Sequence, residues 1–81
     1  MRYGFAARAW RQWQKLPNPV RTKLEGKLKV LVENPRRHAK KLTDSSIGEY
    51  RFRIRDYRII FDIKSDEIMI LAVGHRSTIY K

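Results

Sequence analysis

The apolar residues of this chain change their spacing at Gly48, and that change decides which class of fold is open to it. Before Gly48 they recur every three or four residues; after it they alternate. Ala6, Ala9, Trp10, Trp13 and Leu16 are separated by Arg8, Arg11, Gln12 and Lys15, which predicts an amphipathic first helix of about three turns. Pro17-Asn18-Pro19 ends it and starts the next, with Asn18 a favourable N-cap and Pro19 a favourable first helical residue. Val20, Leu24, Leu28, Leu31 and Val32 then form one stripe, with Lys23, Lys27 and Lys29 off it, and Asn34-Pro35 closes this second helix. The tight link between the two predicts a helical hairpin.

Arg36 to Leu42 reads as a basic connection that leaves His38 solvated, and Thr43 to Gly48 as a polar turn. Tyr50, Phe52 and Ile54 then face one way, and Arg51, Arg53 and Arg55 the other. Asp56 marks a tight turn. Tyr57, Ile59, Phe61 and Ile63 alternate with Arg58, Ile60 and Asp62, Lys64 to Glu67 is the next turn, and Ile68 to Val73 reads as an apolar, central strand. With a short strand over Tyr3 to Ala6, the order is β-α-α-β-β-β. Helices followed by a run of strands predict an α+β fold, a single domain over residues 1–81, in which the helical hairpin packs on one face of an antiparallel sheet.

The length, 81 residues, allows one modest core. There is no cysteine, hence no disulfide staple and no thiolate zinc site. No apolar run approaches the ~20 residues that span a bilayer, and the first eight residues lack the apolar stretch of a signal peptide. The expectation is a soluble, cytoplasmic protein that does not engage a membrane. Nineteen Lys+Arg against eight Asp+Glu leave a net charge of +11, which attracts polyanions: nucleic acid, ribosome or an acidic protein.

Few residues can carry chemistry. Arg51, Arg53 and Arg55 form a row at steps of roughly 6.5–7 Å, suited either to phosphates or to guarding an edge strand. Lys40 and Lys41 add charge for RNA binding. Arg58, in the neighbouring strand, either joins the row or pairs with Asp56 or Asp62. Gly74 is a bend after which His75, Arg76 and Tyr80 follow. A histidine with an ordinary pKa near ~6.5 exchanges protons at neutral pH; Ile79 and Tyr80 are equally suited to packing the tail onto the core. Paired carboxylates, metal-ligand spacing and nucleotide-binding glycine loops are absent from the sequence, so no metal and no cofactor is expected. A site of Arg, His and Tyr suits RNA cleavage by the neighbouring 2′-hydroxyl. That reaction needs a base, cations on the phosphorane and an acid for the 5′-oxygen.

At Leu16-Pro17, Asn34-Pro35, Glu49-Tyr50-Arg51-Phe52-Arg53, Asp56-Tyr57-Arg58-Ile59-Ile60-Phe61 and Val73-Gly74-His75-Arg76…Ile79-Tyr80 the chain resembles the RelE/ParE superfamily of toxin–antitoxin toxins, and within it the RelE-like mRNA interferases. The resemblance covers nearly the whole chain. It implies a microbial-RNase-like α+β fold and a ribosome-dependent endoribonuclease that cuts mRNA in the A site without a metal. By position, Arg51 and Arg53 stand where that branch has two basic residues that hold the phosphate, and Arg58 where it has a transition-state arginine. Arg76 stands where it has an arginine for the leaving group, and Tyr80 where it has a tyrosine for the 2′-OH. Lysines often replace Arg51 and Arg53 in relatives, and an arginine is a poorer proton carrier. His75 replaces a lysine of some members, which opens an acid or base role to it. The chain ends one residue after Tyr80, without the extra C-terminal helix of some relatives. The resemblance also implies a cognate antitoxin, acidic and folding on binding, with operator DNA reached only through that antitoxin. Two other readings remain: a ParE-like DNA gyrase poison, whose branch generally lacks the His/Arg/Tyr set, and a non-catalytic basic module binding RNA or protein.

Overall fold

The computed structural model describes residues 1–43 and 46–79. Its elements are β1 (Arg2–Phe5), α1 (Ala7–Gln14), α2 (Asn18–Leu31), α3 (Pro35–His38), β2 (Lys40–Lys41), β3 (Tyr50–Ile54), β4 (Tyr57–Lys64) and β5 (Glu67–His75). The fold is α+β, with α1 and α2 on one face of a five-stranded sheet ordered β1-β5-β4-β3-β2. No helix among the described residues is long and apolar enough to cross a membrane.

Several local features depart from the sequence pattern. The sheet is mixed: β2 to β5 pair antiparallel, but β1 lies parallel to β5 at the edge. The helices and three strands separate β1 from β5 in the chain, so no tight turn constrains their direction. β5 is interior, and the middle position belongs to β4. Asn18 is the first residue of α2 rather than its cap, a position taken by Pro17; the Asn18 carboxamide oxygen instead accepts from Arg21. Pro35 begins α3 rather than merely ending α2, because a residue without an N–H fits a helix's first turn. The expected basic connection thus becomes one helical turn and the two-residue β2. Asp44 and Ser45 of the expected polar turn lie outside the described residues.

The main core lies between helices and sheet. Ala9 and Trp13 of α1 and Leu24 and Leu28 of α2 meet Phe52, Ile59, Phe61, Ile68 and Ile70 from the strands. The Phe52 and Phe61 rings meet in the middle at an interplanar angle of 30°, with centroids 4.3 Å apart. Trp10, expected in the buried stripe, is 46% exposed and touches only the margin, edge-on to Phe5 at 5.4 Å.

The β4–β5 ladder contains one irregularity. Phe61 faces Ile70 and Ile60 faces Ala72, leaving Leu71 as an extra residue in β5. A bulge of this kind exchanges the faces of everything beyond it. Ile68, Ile70 and Val73 therefore all reach the helix side, while Ala72 reaches the far side. There Ile60, Ala72 and Ile79 form a second small cluster with Leu42 and Ile47. The strand reads as continuously apolar because it serves two cores in succession.

The segment before β3 closes over this second cluster. The Glu49 N–H donates to Asp62 Oδ1 at 2.8 Å. A Cβ on Gly48 would lie 2.8 Å from Ile60 Cγ2 and 2.9 Å from Leu71 Cδ1, so only glycine allows this approach. Gly26, midway along α2, is the opposite case: a Cβ there meets nothing within 4 Å, and its φ is negative. Gly48→Ala is expected to destabilise the fold by about 1–3 kcal/mol through overpacking. Gly26→Ala should stabilise it by about 0.5–1 kcal/mol through helix propensity. Urea unfolding midpoints moving in opposite directions at constant slope would check both.

Candidate active site

The sheet face turned away from the helices carries the basic residues in register. Lys40 of β2 lies opposite Arg51 of β3, and Arg53 of β3 lies opposite Arg58 of β4. Directly opposed residues on one face have Cβ atoms about 4.5–5.5 Å apart, and like charges so placed repel. Two adjacent like-charged pairs are a poor arrangement for an isolated sheet and a good one for a sheet that receives an anion. Arg53 is exposed and Arg51 half-buried.

Arg58 is 7% exposed. Its Nη1 donates to the carbonyl oxygens of Arg55 at 2.8 Å and Tyr57 at 3.0 Å, partners that offset the burial of a cation. It therefore ties the β3–β4 turn to the sheet. Arg55 leaves the expected row. Ile54 pairs with Tyr57, so only Arg55 and Asp56 make the connection, and Arg55 adopts a left-handed φ of 54° to close it. The row thus has two members on β3, not three. Lys41 pairs with Tyr50 and belongs to the helix side, apart from Lys40.

The bulge at Leu71 divides the C-terminal motif. Gly74 lies opposite Arg58 on the arginine face, but His75 lies opposite Tyr57 on the helix side, its ring edge-on to Tyr57 at 5.6 Å. The structure therefore does not bring His75 onto the arginine face. His75 organises the turn that follows. The Ser77 N–H donates to His75 Nδ1 at 3.1 Å, the Ser77 hydroxyl lies 2.8 Å from the same nitrogen, and the Thr78 and Ile79 N–H groups both donate to the His75 carbonyl at 3.0 Å. An Nδ1 that accepts from a backbone N–H places the proton of the neutral ring on Nε2.

Arg76 is held beside the β3–β4 turn: its N–H donates to the Asp56 carbonyl at 2.7 Å, and its Nε lies 3.6 Å from Asp56 Oδ1. Both side chains are more than half exposed, so this pair is weak and leaves Arg76 able to exchange Asp56 for another anion. The turn then brings Ile79, 3% exposed, back onto the arginine face against Ile60 and Ala72. A Cβ on Gly74 would stand 3.6 Å from Ile79 Cβ, an ordinary packing distance, so the two residues sit in direct apposition. Tyr80 lies outside the described residues.

Two supporting residues escaped the sequence pattern. β1 stops at Phe5, opposite Ile70, so among the described residues no strand flanks Val73 on that edge of β5. Gln12 of α1 supplies the acceptor instead, its Oε1 taking the Val73 N–H at 2.9 Å. Asp56 was legible as a turn residue and as a possible partner of Arg58, whereas its ion pair is with Arg76. Gln12 and Val73 are 61 residues apart, and no local signal announces such a contact.

A family model described as the ParE toxin of type II toxin–antitoxin systems, parDE, matches residues 3–80. The mRNA interferase toxin RelE of Escherichia coli K12 is 29% identical over 94% of this chain and 85% of its own length. Among solved structures, the RelBE2 toxin–antitoxin complex of Mycobacterium tuberculosis contains a chain with a TM-score of 0.80 and 28% identity, covering 93% of this chain and 96% of that one. The intact E. coli RelBE complex contains one with a TM-score of 0.76 and 29% identity, covering 91% and 94%. With nearly its whole length matched and the same sheet and helices in place, the chain belongs to the family of ParE toxins of type II toxin–antitoxin systems.

Proposed function

We propose that this toxin is an endoribonuclease of the RelE type, acting on mRNA in the ribosomal A site and restrained by a cognate acidic antitoxin. The observation that carries the reading is the pair of like-charged cross-strand contacts, Lys40 with Arg51 and Arg53 with Arg58, on a face to which the C-terminal turn returns at Ile79. The names borne by its relatives support the same reading over gyrase poisoning: an mRNA interferase among the proteins, RelBE complexes among the structures.

In the proposed reaction a ribose 2′-oxygen attacks the adjacent phosphorus and gives up its proton, and the bond from phosphorus to the 5′-oxygen breaks. The 5′-oxygen takes up a proton, leaving a 2′,3′-cyclic phosphate. No metal is assigned a part. Arg51 and Arg53 hold the phosphate. Arg58, locked to the turn carbonyls, keeps their strand pair in position and adds charge toward the phosphorane. Arg76 exchanges Asp56 for the negative charge developing in the transition state. Tyr80 orients or deprotonates the 2′-OH, one residue beyond the Ile79 anchor. His75, across the sheet from the arginines, acts by shaping the turn that carries Arg76. Lys40 and Arg55 extend the binding surface along the backbone, with Lys41 behind the same edge.

Mapping the 5′ ends of a defined mRNA incubated with antitoxin-free protein, with and without ribosomes whose A site is empty, tests this. Cuts within the A-site codon only in the presence of ribosomes are expected. Tyr80→Phe should lower the rate by about 10²–10³, with RNA affinity held. His75→Ala should cost about tenfold or less, because it removes a positioning contact rather than a proton carrier. Cleavage of free RNA would remove the ribosome from the proposal; absence of cleavage in both tubes, with inhibited supercoiling by gyrase, would replace it.

Binding also has a salt signature. If three or four cations meet phosphates, the logarithm of affinity should fall with the logarithm of salt at a slope of about −2 to −3, near −0.7 per contact on a single strand. A flat profile would show that the arginine face does not track a backbone.

A further inference from the structure

The end of β5, from Ala72 to His75, is held unequally on its two sides. On one side β4 runs alongside it, pairing Ile59 with Val73, Arg58 with Gly74 and Tyr57 with His75. On the other, β1 ends at Phe5, and the Ala6 N–H donates to the Ile70 carbonyl at 2.8 Å just beyond it. Past that point no strand among the described residues lies on this side. A bulge disrupts a ladder locally, and the one at Leu71 falls just where this support stops.

One side chain makes good the loss. Val73 is 2% exposed, so its N–H cannot turn to water, and Gln12 Oε1 accepts it at 2.9 Å. A backbone N–H only donates, so the carboxamide must present its oxygen. Gln12 sits where the stripe of α1 would suit a hydrocarbon side chain: Ala9 lies one turn before it and Trp13 beside it, both buried. Half-burying an amide there costs free energy unless it is hydrogen-bonded. The residue type at position 12 is therefore explained by the β5 backbone and not by helix packing. Gln14, two residues on, is exposed and faces no such demand.

Arg76 follows three residues after Val73. Its N–H donates to the Asp56 carbonyl at 2.7 Å, while its guanidinium is only loosely paired. Its backbone sets its place, and that backbone hangs from the end of β5. Two ties bracket the segment: Gln12 to Val73 on one edge, Asp56 to Arg76 on the other. We propose that Gln12 is a positioning residue for phosphodiester cleavage, an inference that rests on the nuclease reading above. Its carboxamide fixes the end of β5 so that Arg76 meets the charge that develops in the transition state. Gln12 belongs to α1, on the sheet face opposite the arginines, and touches no substrate. Its loss leaves every cation in place, so RNA binding persists while the reaction slows. A displacement of the order of 1 Å, caused by a change remote from the chemistry, costs up to about 10²-fold in rate.

The test uses antitoxin-free protein and ribosomes programmed with a defined mRNA, well below each variant's melting temperature. The variants are Gln12→Leu, which removes the acceptor, Gln12→Glu, which keeps an oxygen at the same reach, and Gln14→Leu as a control on the exposed face of the same helix. Gln12→Asn, one methylene short of Val73, takes the place of Gln12→Leu if that variant does not fold. In Gln12→Leu the maximal cleavage rate should fall about ten- to a hundredfold, while the ribosome concentration giving half that rate stays within about twofold. Gln12→Glu should return to within about threefold of the parent, and Gln14→Leu should stay within about twofold. Amide hydrogen exchange followed by NMR gives a second readout: the Val73 amide should exchange about tenfold faster or more in Gln12→Leu, ahead of the core amides of Phe52 and Ile59. An unchanged maximal rate in folded Gln12→Leu overturns the proposal. So does an equal loss in Gln12→Glu, which would make shape and not an acceptor the requirement, or exchange that quickens uniformly through the sheet, the mark of a general loss of stability. If the parent protein cuts no RNA yet Val73 exchange depends on the acceptor at position 12, the nuclease reading falls and the tie from Gln12 to the C-terminal turn stands.

Discussion

The antiparallel pairing of β4 with β5 organises the molecule, and one extra residue within it sets the direction of everything downstream. Up to Ile70, β5 sends alternate side chains into the core beneath α1 and α2. Leu71 breaks the alternation, so that Ala72 joins a second core on the far face while Val73 returns to the first. A chain without the bulge would carry Gly74 and His75 on exchanged faces. The arginine face would then hold an imidazole opposite Arg58 where it now holds a glycine. The bulge is also where β1 departs, and the Gln12 carboxamide takes over as acceptor for the β5 backbone.

The second constraint is electrostatic. Like charges directly opposed on one sheet face cost stability, and this sheet places two such pairs side by side. Burial of Arg58 under two turn carbonyls converts one of those charges into a structural tie, leaving Arg53 as the exposed member of its pair. Arg76 is loosely held by an exposed aspartate. The anion binding proposed for this face would require little rearrangement: the cations are already gathered, and the Asp56 contact is exposed and weak. Fixed guanidinium groups, unable to lose their protons at neutral pH, suit stabilisation of phosphorane charge better than proton transfer.

Much of the fold was legible because its signals are local. The 3.6-residue stripe of α2, the alternation of β3 and β4 and the turns at 55–56 and 65–66 are each written within a few neighbouring residues. The α+β class and the placement of both helices on one face followed from their order. The site was partly legible for the same reason: Arg51 and Arg53 share a face by parity along one strand, and Arg58 reaches Arg53 through a two-residue turn. Arg55 was misread because parity fails where a strand ends and the backbone turns left-handed. The face of His75 was not legible, because the sequence places it only after a bend at Gly74, and a bulge in an all-apolar strand leaves no alternation to count.

What the sequence by itself determined was therefore the inventory and the local geometry: a cysteine-free chain of +11 charge, two amphipathic helices, and strands with arginines on one parity. Periodicity and charge are properties of neighbours along the chain, and they survive without knowledge of the partner. Tertiary structure decided which cations meet, that β1 joins the sheet in parallel, that Leu71 divides the C-terminal motif between two faces, and that Gln12 closes a contact across 61 residues. Each of these depends on register between distant segments. Register is chosen by the simultaneous burial of both cores and the satisfaction of backbone groups at the sheet edge, and no short stretch of sequence contains that information.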